Sequence, residues 1–408
     1  VRILHINKFL WFCGGVERYM FDVADLSTKE GHEIGYFSMA DERNIPCDQS
    51  EYFVPNLDYK NTSLIQKLKL GKTILERTLY SSEVKESLAR LLREFKPDVA
   101  HIHLIYHHLS PSVLDALREA NVPVVQTVHD FKLICPNYRL HIPGDHALCT
   151  RCVSGNYTHC IRNQCLNDSY LASALVAAEM TLHKRKRYYE EGVDRFICPS
   201  DFVREQLEKS SIPNEKLVHL RHYIDLDEYT PGEDRENYLV FVGRLVPEKG
   251  ILTLLRAMAK LPELQLKVVG DGPLEAECKA LIAVQGLLNV DLMGFRPREE
   301  MVPILANSIG LIFPSECHET CGLIAWEAHA LEQPVIAASI GGIPESITEG
   351  VDGLLFEPGN IDSLVEKIKW LVDNPDPARK MGKSGAARVR EACNAHYDGL
   401  LKIYSELT

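Results

Sequence analysis

Glu319 and Glu327 stand eight residues apart in the run Glu319-Thr-Cys-Gly-Leu-Ile-Ala-Trp-Glu327. Gly322 falls where a helix begins, after a strand that ends near Pro314. The free amides of such a helix start can hold a phosphate. From there Glu327 can accept hydrogen bonds from ribose hydroxyls, and Glu319 can reach a sugar. Solvated helix carboxylates are common, so the pair needs company to mean anything. Arg244 and Lys249 supply it in Val242-Gly243-Arg244-Leu-Val-Pro-Glu-Lys249-Gly250. Arginine offers phosphate oxygens a planar fork and lysine a point charge, although an ordinary surface turn exposes the same residues. Val269-Gly270-Asp271-Gly272-Pro273 is a tight strand-to-helix turn that calls on glycine conformations. Gly14-Gly15, after the first strand, can bring backbone amides close to a diphosphate. In the first half, Thr127-Val128-His129-Asp130 ends a strand. A lone histidine is more often structural, but a sheet's carboxyl end is where ligands bind, which raises the functional reading of His129.

Five of the twelve cysteines lie in one short segment: Cys135, Cys149, Cys152, Cys160 and Cys165. Cys149-x2-Cys152 followed by Cys160-x4-Cys165 suits a closed, structural zinc site, with Cys135 as an alternative ligand. Free thiols and disulfides are the competing readings. The latter are disfavoured in a reducing compartment.

The elements that must position these residues alternate. Strand candidates include Val1 to Ile6, His32 to Phe37, Val99 to Ile105, Val122 to Val128, Arg195 to Cys198, Leu217 to His222, Tyr238 to Val242, Leu266 to Val269, Gly310 to Phe313 and Pro334 to Ala338. Many are continuous apolar runs, the mark of parallel strands buried on both faces. Helical stripes such as Val16, Met20, Val23 and Leu26 lie between them, giving repeated βαβ units. The polar stretch 223–237 divides the chain in composition. The expected domains are 1–215, carrying the Cys-rich insertion 135–165, and 216–385. A final helix, about 386–408, returns to the first domain. Two such α/β domains create a cleft at the carboxyl ends of both sheets.

The chain has 408 residues and a formal net charge of −12. So acidic a chain lacks the basic face that general nucleic-acid binding needs. Its longest apolar runs fall far short of the roughly 20 residues that cross a bilayer. No signal-peptide pattern precedes the first strand, so a cytoplasmic location is expected. Two basic stretches, His183-Lys-Arg-Lys-Arg187 and the group Lys60, Lys67, Lys69, Lys72 and Arg77, leave open a peripheral contact with anionic lipid on the membrane's inner face. A solvated helix face is the plainer reading. Asp225-Leu226-Asp227 matches a short metal-binding pattern, but that tripeptide arises easily by chance.

Taken together and in order, these motifs resemble the retaining glycosyltransferases of family 4 (glycosyltransferase group 1). Pro199-Ser200, Gly341-Gly342-Ile343-Pro344-Glu345 and Gly350-Val-Asp-Gly353 fit the same pattern. The resemblance covers nearly the whole chain and extends to a bacterial subset with a Cys-rich insertion. It implies the GT-B fold, with two Rossmann-like domains and parallel sheets facing across a cleft. It further implies transfer of a hexose from a nucleoside-diphosphate sugar, by family frequency a UDP-sugar such as UDP-glucose. The acceptor would be a glycan or a lipid-linked molecule, and no catalytic metal would be needed. Arg244 and Lys249 would bind the diphosphate, with Gly14, Gly15, Gly243 and Gly270 around the donor. The amides of Gly322 and Leu323 would meet the phosphate, Glu327 the ribose and Glu319 the sugar, with His129 beside the transferred group. Cys321 departs from the family's usual Phe, which puts the adjacent packing in question. The rival functions are a GT-B sugar-nucleotide epimerase and a non-catalytic sugar-nucleotide-binding scaffold.

Overall fold

A computed structural model describes residues 1–57, 64–143, 147–232 and 235–408, with backbone alone at 64–70 and 147. The chain divides into two compact units, one of Val1–Tyr223 with His396–Thr408 and one of Ile224–Ala395. Each is built on its own six-stranded sheet whose strands all pair in parallel.

In the first unit the strands are β1 (Arg2–Ile6), β2 (Glu33–Phe37), β3 (Val99–Ile102), β4 (Val124–Thr127), β5 (Arg195–Cys198) and β6 (Leu217–His219). Their order across the sheet is β6-β5-β4-β3-β1-β2, so the chain reverses direction between β1 and β3. Both faces are covered. Leu4, Ile6, Ala100, Ile102 and Val124 point into one apolar cluster, and Ile3, Val99 and Val125 into another. This two-sided burial explains the near-continuous apolar strands. The second cluster is completed by Tyr19 and Val23 of helix α1 (Gly15–Lys29) and by Leu400, Ile403 and Tyr404 from the far end of the chain. Helix α2 (Tyr170–Lys186) follows the cysteine segment. With it, Cys152, Tyr157 and Cys160 form a small separate core against Val176, Ala177 and Met180.

In the second unit the strands are β7 (Tyr238–Val242), β8 (Gln265–Val269), β9 (Val290–Gly294), β10 (Gly310–Phe313), β11 (Val335–Ala338) and β12 (Gly353–Phe356). The order β9-β8-β7-β10-β11-β12 puts the reversal between β7 and β10. In open α/β sheets, ligands bind at such a switch point, beyond the strands' carboxyl ends. Three helices matter below: α3 (Ile251–Met258), α4 (Leu323–Ala330) and the long α5 (Pro375–Ser405).

The observed boundary differs from the expected 215/216. β6 pairs with β5, Leu217 opposite Phe196, and so belongs to the first sheet. The chain leaves that sheet only after Tyr223. Composition changes at 223, one strand later than the division at 215/216 allowed. The return to the first unit begins at His396 rather than near 386, part-way along α5.

Candidate active site

In the second unit the candidate side chains follow the two strands that flank the switch point. β7 ends in Val242, and Gly243 and Arg244 follow. A 3-10 turn, Pro247–Lys249, then leads into α3. β10 ends in Phe313, and the loop 314–322 carries Glu319 to the start of α4. The two loops are joined by the Glu248 carbonyl, which accepts from the Glu316 amide at 2.9 Å. Gly250 sits at φ +68°, and a Cβ there would lie 1.8 Å from the Pro314 carbonyl oxygen. Only glycine lets the loops come this close.

This approach brings Lys249 and Glu319 together. Lys249 Nζ lies 2.6 Å from Glu319 Oε1, and Ser315 Oγ donates to the same oxygen at 2.6 Å. Lys249 keeps 30% of its side chain exposed and Glu319 16%. Burial works against the Lys249 charge, but the carboxylate of Glu319 outweighs it and holds the ammonium pKa above its ordinary value. The sequence placed Lys249 and Glu319 in separate motifs; the structure joins them. Arg244 is exposed and has no carboxylate partner among the described residues. Its guanidinium is therefore uncommitted.

Gly322 takes the left-handed conformation at φ +77°, turning the chain into α4. Gly342 N donates to the Glu319 carbonyl at 2.8 Å, which fixes the loop from its other side. Cys321 is buried, and its carbonyl accepts from Ser346 Oγ at 2.8 Å. Ser346 in turn accepts from Trp326 Nε1 at 3.1 Å. The thiol thus fills a packed position. Glu327 lies on α4, partly exposed, with Leu323 opening that helix. Gly270 has a packing role: at φ +139° its Cβ would stand 1.9 Å from the Gly243 carbonyl oxygen, so the two turns cross in contact. Asp225, from the apparent metal tripeptide, caps a 3-10 turn by accepting from the Asp227 amide at 3.1 Å.

In the first unit, Gly14 and Gly15 form the N-cap and first residue of α1 and are exposed. Gly14 is extended, and a Cβ there would make only ordinary contact, 3.5 Å from Glu17. The fold itself therefore does not require glycine at 14. His129 follows β4, and burial presses its pKa down to about 3, so the ring is neutral. Three residues on, Lys132 Nζ meets Glu179 Oε2 of α2 at 2.8 Å, with His107 Nε2 at 3.0 Å on the same oxygen. Burial raises the Glu179 pKa, but Lys132 and His107 outweigh it and hold the carboxyl near 2. Nothing in the sequence pointed to this buried ion pair.

All five clustered cysteines line one cavity, together with His141 and His159. A hydrogen bond with Cys165 pulls the Cys160 thiol down and pushes Cys165 up. Among the described residues, the groupings with three ligand atoms within 4.8 Å of one another do not include this segment. The thiols converge on a cavity but are not already drawn into a tetrahedral cage.

The basic stretches do not behave as units. In the first, His183 is buried on the Leu79 carbonyl and Lys184 reaches the Ser154 carbonyl, leaving Arg185, Lys186 and Arg187 exposed. In the second, Arg77 is buried between the His108 carbonyl and Glu83 and cannot meet a lipid. Lys72 is paired with Glu76. Lys60 and the side chains of Lys67 and Lys69 lie outside the described residues. No helix among the described residues is long and apolar enough to cross a membrane.

Residues 13–228 match the family model of Glycosyltransferase Family 4, and residues 227–388 that of Glycosyl transferases group 1. The chain belongs to glycosyltransferase family 4. An uncharacterised glycosyltransferase of Methanocaldococcus jannaschii is 29% identical to it over 226 residues, 54% of this chain and 62% of that protein. A sulfoquinovosyl transferase of Arabidopsis thaliana is 27% identical over 335 residues, 75% of this chain and 57% of that one. The family 4 chain thus spans under two thirds of the length of these curated relatives. Among solved structures, HepE of Anabaena in complex with UDP superposes with a TM-score of 0.70 at 17% identity, covering 100% of both chains. Its fold, and that of the other glycosyltransferase structures matched, is GT-B: two Rossmann-like domains with parallel sheets.

Proposed function

We propose that this family 4 member transfers a hexose from a nucleoside-diphosphate sugar to a glycan or lipid-linked acceptor, with retention at the anomeric carbon. The observation that carries this reading is the Lys249–Glu319 pair at the switch point of the second sheet, with the uncommitted Arg244 on the adjoining loop. When the bond between the anomeric carbon and the diphosphate breaks, negative charge grows on the departing oxygen. Arg244, Lys249 and the amides at the start of α4 are the groups suited to meet it. Glu319 orients the Lys249 ammonium and offers its second oxygen to sugar hydroxyls. Glu327 takes the ribose. The acceptor oxygen bonds to the anomeric carbon on the face the diphosphate leaves, and its proton passes to the departing phosphate oxygen. His129 lies beside the transferred sugar, and Gly14 and Gly15 by the diphosphate, where an extended, exposed N-cap leaves room for a ligand.

UDP is the proposed nucleotide, supported by the UDP in the HepE complex. The thiol cavity is proposed as a structural zinc site of Cys149, Cys152, Cys160 and Cys165. Elemental analysis of the purified protein tests it: one zinc per chain, lost in a Cys149→Ser/Cys152→Ser variant, is expected, and a zinc-free folded protein refutes it. For the donor, a thermal-shift panel of UDP, GDP, ADP and their sugar conjugates should give stabilisation by one nucleotide, lost in Lys249→Ala and Glu327→Ala. Turnover with and without acceptor then separates transfer from acceptor-free epimerisation and from binding alone.

A further inference from the structure

Three histidines stand in line on one face of the first sheet. His5 is on β1, His103 just beyond β3 and His129 just beyond β4. His5 Nδ1 lies 3.1 Å from His103 Nε2, and His103 Nδ1 lies 3.0 Å from His129 Nε2. The rings are stacked in sequence, with centroids 5.4 and 5.3 Å apart. His5 and His103 are fully buried. The neighbouring His101 is no part of the line. Its Nδ1 meets Tyr404 Oη at 2.6 Å and its Nε2 meets Thr127 Oγ1 at 2.7 Å. For the same reason, the close trio His5, His101 and His103 does not present three lone pairs to one ion.

Burial keeps all three imidazoles of the line neutral. A neutral imidazole has one N–H and one lone pair. Two hydrogen bonds in series therefore allow only two proton orders. In one, His5 Nδ1–H donates to His103 Nε2, and His103 Nδ1–H donates to His129 Nε2. His129 then carries its own proton on Nδ1, and His5 Nε2 is a bare lone pair. In the other, every bond is reversed, and His5 Nε2 carries an N–H. His5 Nε2 is buried and has no hydrogen-bond partner. A buried orphan N–H is rarer, hence costlier, than an under-satisfied acceptor. The first order wins.

We propose that His103 is a positioning residue that locks His129 in the Nδ1–H tautomer, with the direction of the line set by the unpartnered end at His5. In this tautomer His129 Nε2 is already accepting a proton bond and Nδ1 is already protonated. Neither nitrogen can then take a proton, so His129 is a hydrogen-bond donor through Nδ1 and not a general base. The donor role toward a sugar oxygen rests on the glycosyltransferase reading above; the tautomer does not.

The test is long-range proton–nitrogen NMR on protein labelled with nitrogen-15 histidine, with His129 assigned by His129→Gln. The expected spectrum gives His129 a pyrrole-type Nδ1 and a pyridine-type Nε2. The opposite pattern, or a cationic ring, in the unsubstituted protein overturns the proposal, whatever becomes of any variant. His103→Phe should release the lock and move the His129 signals toward the Nε2–H form. His103→Asn, whose side-chain amide can donate in place of Nδ1, should restore the original pattern. His5→Phe should leave it unchanged, because His103 Nε2 then becomes the bare end. Unchanged His129 signals in a folded His103→Phe also overturn the lock. In turnover assays, His103→Phe should lower kcat on the order of 10-fold while nucleotide affinity holds, with His103→Asn recovering most of it. If no nucleotide sugar turns over but the Nδ1–H pattern is found, the tautomer stands and the transferase reading falls.

Discussion

The buried pair Lys132–Glu179 gives the most exposed prediction about how the first unit holds its shape. Glu179 is 1% and Lys132 2% exposed, and their atoms stand 2.8 Å apart. Replacing Lys132 by Met leaves a carboxylate in a buried surround with only the His107 ring for company. Breaking one side of such a pair costs about 3–5 kcal/mol. The Glu179 carboxyl gives a consistent figure. Holding it at about 2 rather than its ordinary 4.5 corresponds to about 3 kcal/mol of folded-state preference for the anion. Because this pKa is depressed on folding, its contribution is present in full above pH 4.5 and is lost as pH falls from 4.5 toward 2. Lys132→Met and Glu179→Leu should each lower the melting temperature on the order of 10 °C at pH 7. The double variant Lys132→Met/Glu179→Leu should recover most of the loss, because two apolar groups replace two mutually dependent charges. Denaturant melts of the four proteins at pH 7 close the cycle. If each single variant loses less than about 1 kcal/mol, or if the losses simply add in the double variant, the pair is not coupled and the argument from burial is wrong.

Three further outcomes follow from the same geometry. Lys249→Met should reduce kcat/KM for the sugar donor about 100-fold or more; activity within about 3-fold of the parent removes Lys249 from the diphosphate. Gly250→Ala places a Cβ on the Pro314 carbonyl oxygen at a left-handed φ, so it should both destabilise the fold and impair turnover, read by melting and by steady-state kinetics. Tyr404→Phe strips the hydroxyl that His101 Nδ1 meets at 2.6 Å and should cost about 1–3 kcal/mol in denaturant melts. A loss of a few tenths would mean that the histidine is satisfied otherwise.

The α/β architecture was legible because strands buried on both faces write themselves as continuous apolar runs. Arg244 was legible as a candidate because it lies just past a strand end beside Gly243, and Glu319 because it stands eight residues ahead of Glu327, before the helix that opens after Gly322. That Lys249 pairs with Glu319 was not, since 70 residues separate them and only the sheet order brings β7 beside β10. The strand Leu217–His219 was visible as a strand, yet its sheet was not, because pairing with β5 leaves no trace in composition. His101 and His103 had a faint signal: polar residues two apart inside an apolar run share one face of a strand. His5 lies in the same pairing register as His101, a relation that only the sheet reveals.

Helix α5 starts in the second unit and ends by filling the first, where Leu400, Ile403 and Tyr404 pack against Ile3, Val99 and Val125. A ribosome makes those partners about 300 residues apart in time. The first sheet can pair its strands early, but one of its faces, partly covered by Tyr19 and Val23 of α1, waits for the rest of its cover while the whole second unit is synthesised. That unit can fold first although it is made second. A nascent chain arrested before Leu400 would present an apolar sheet face to chaperones, and a fragment cut at the boundary after Tyr223 would carry the same open face permanently.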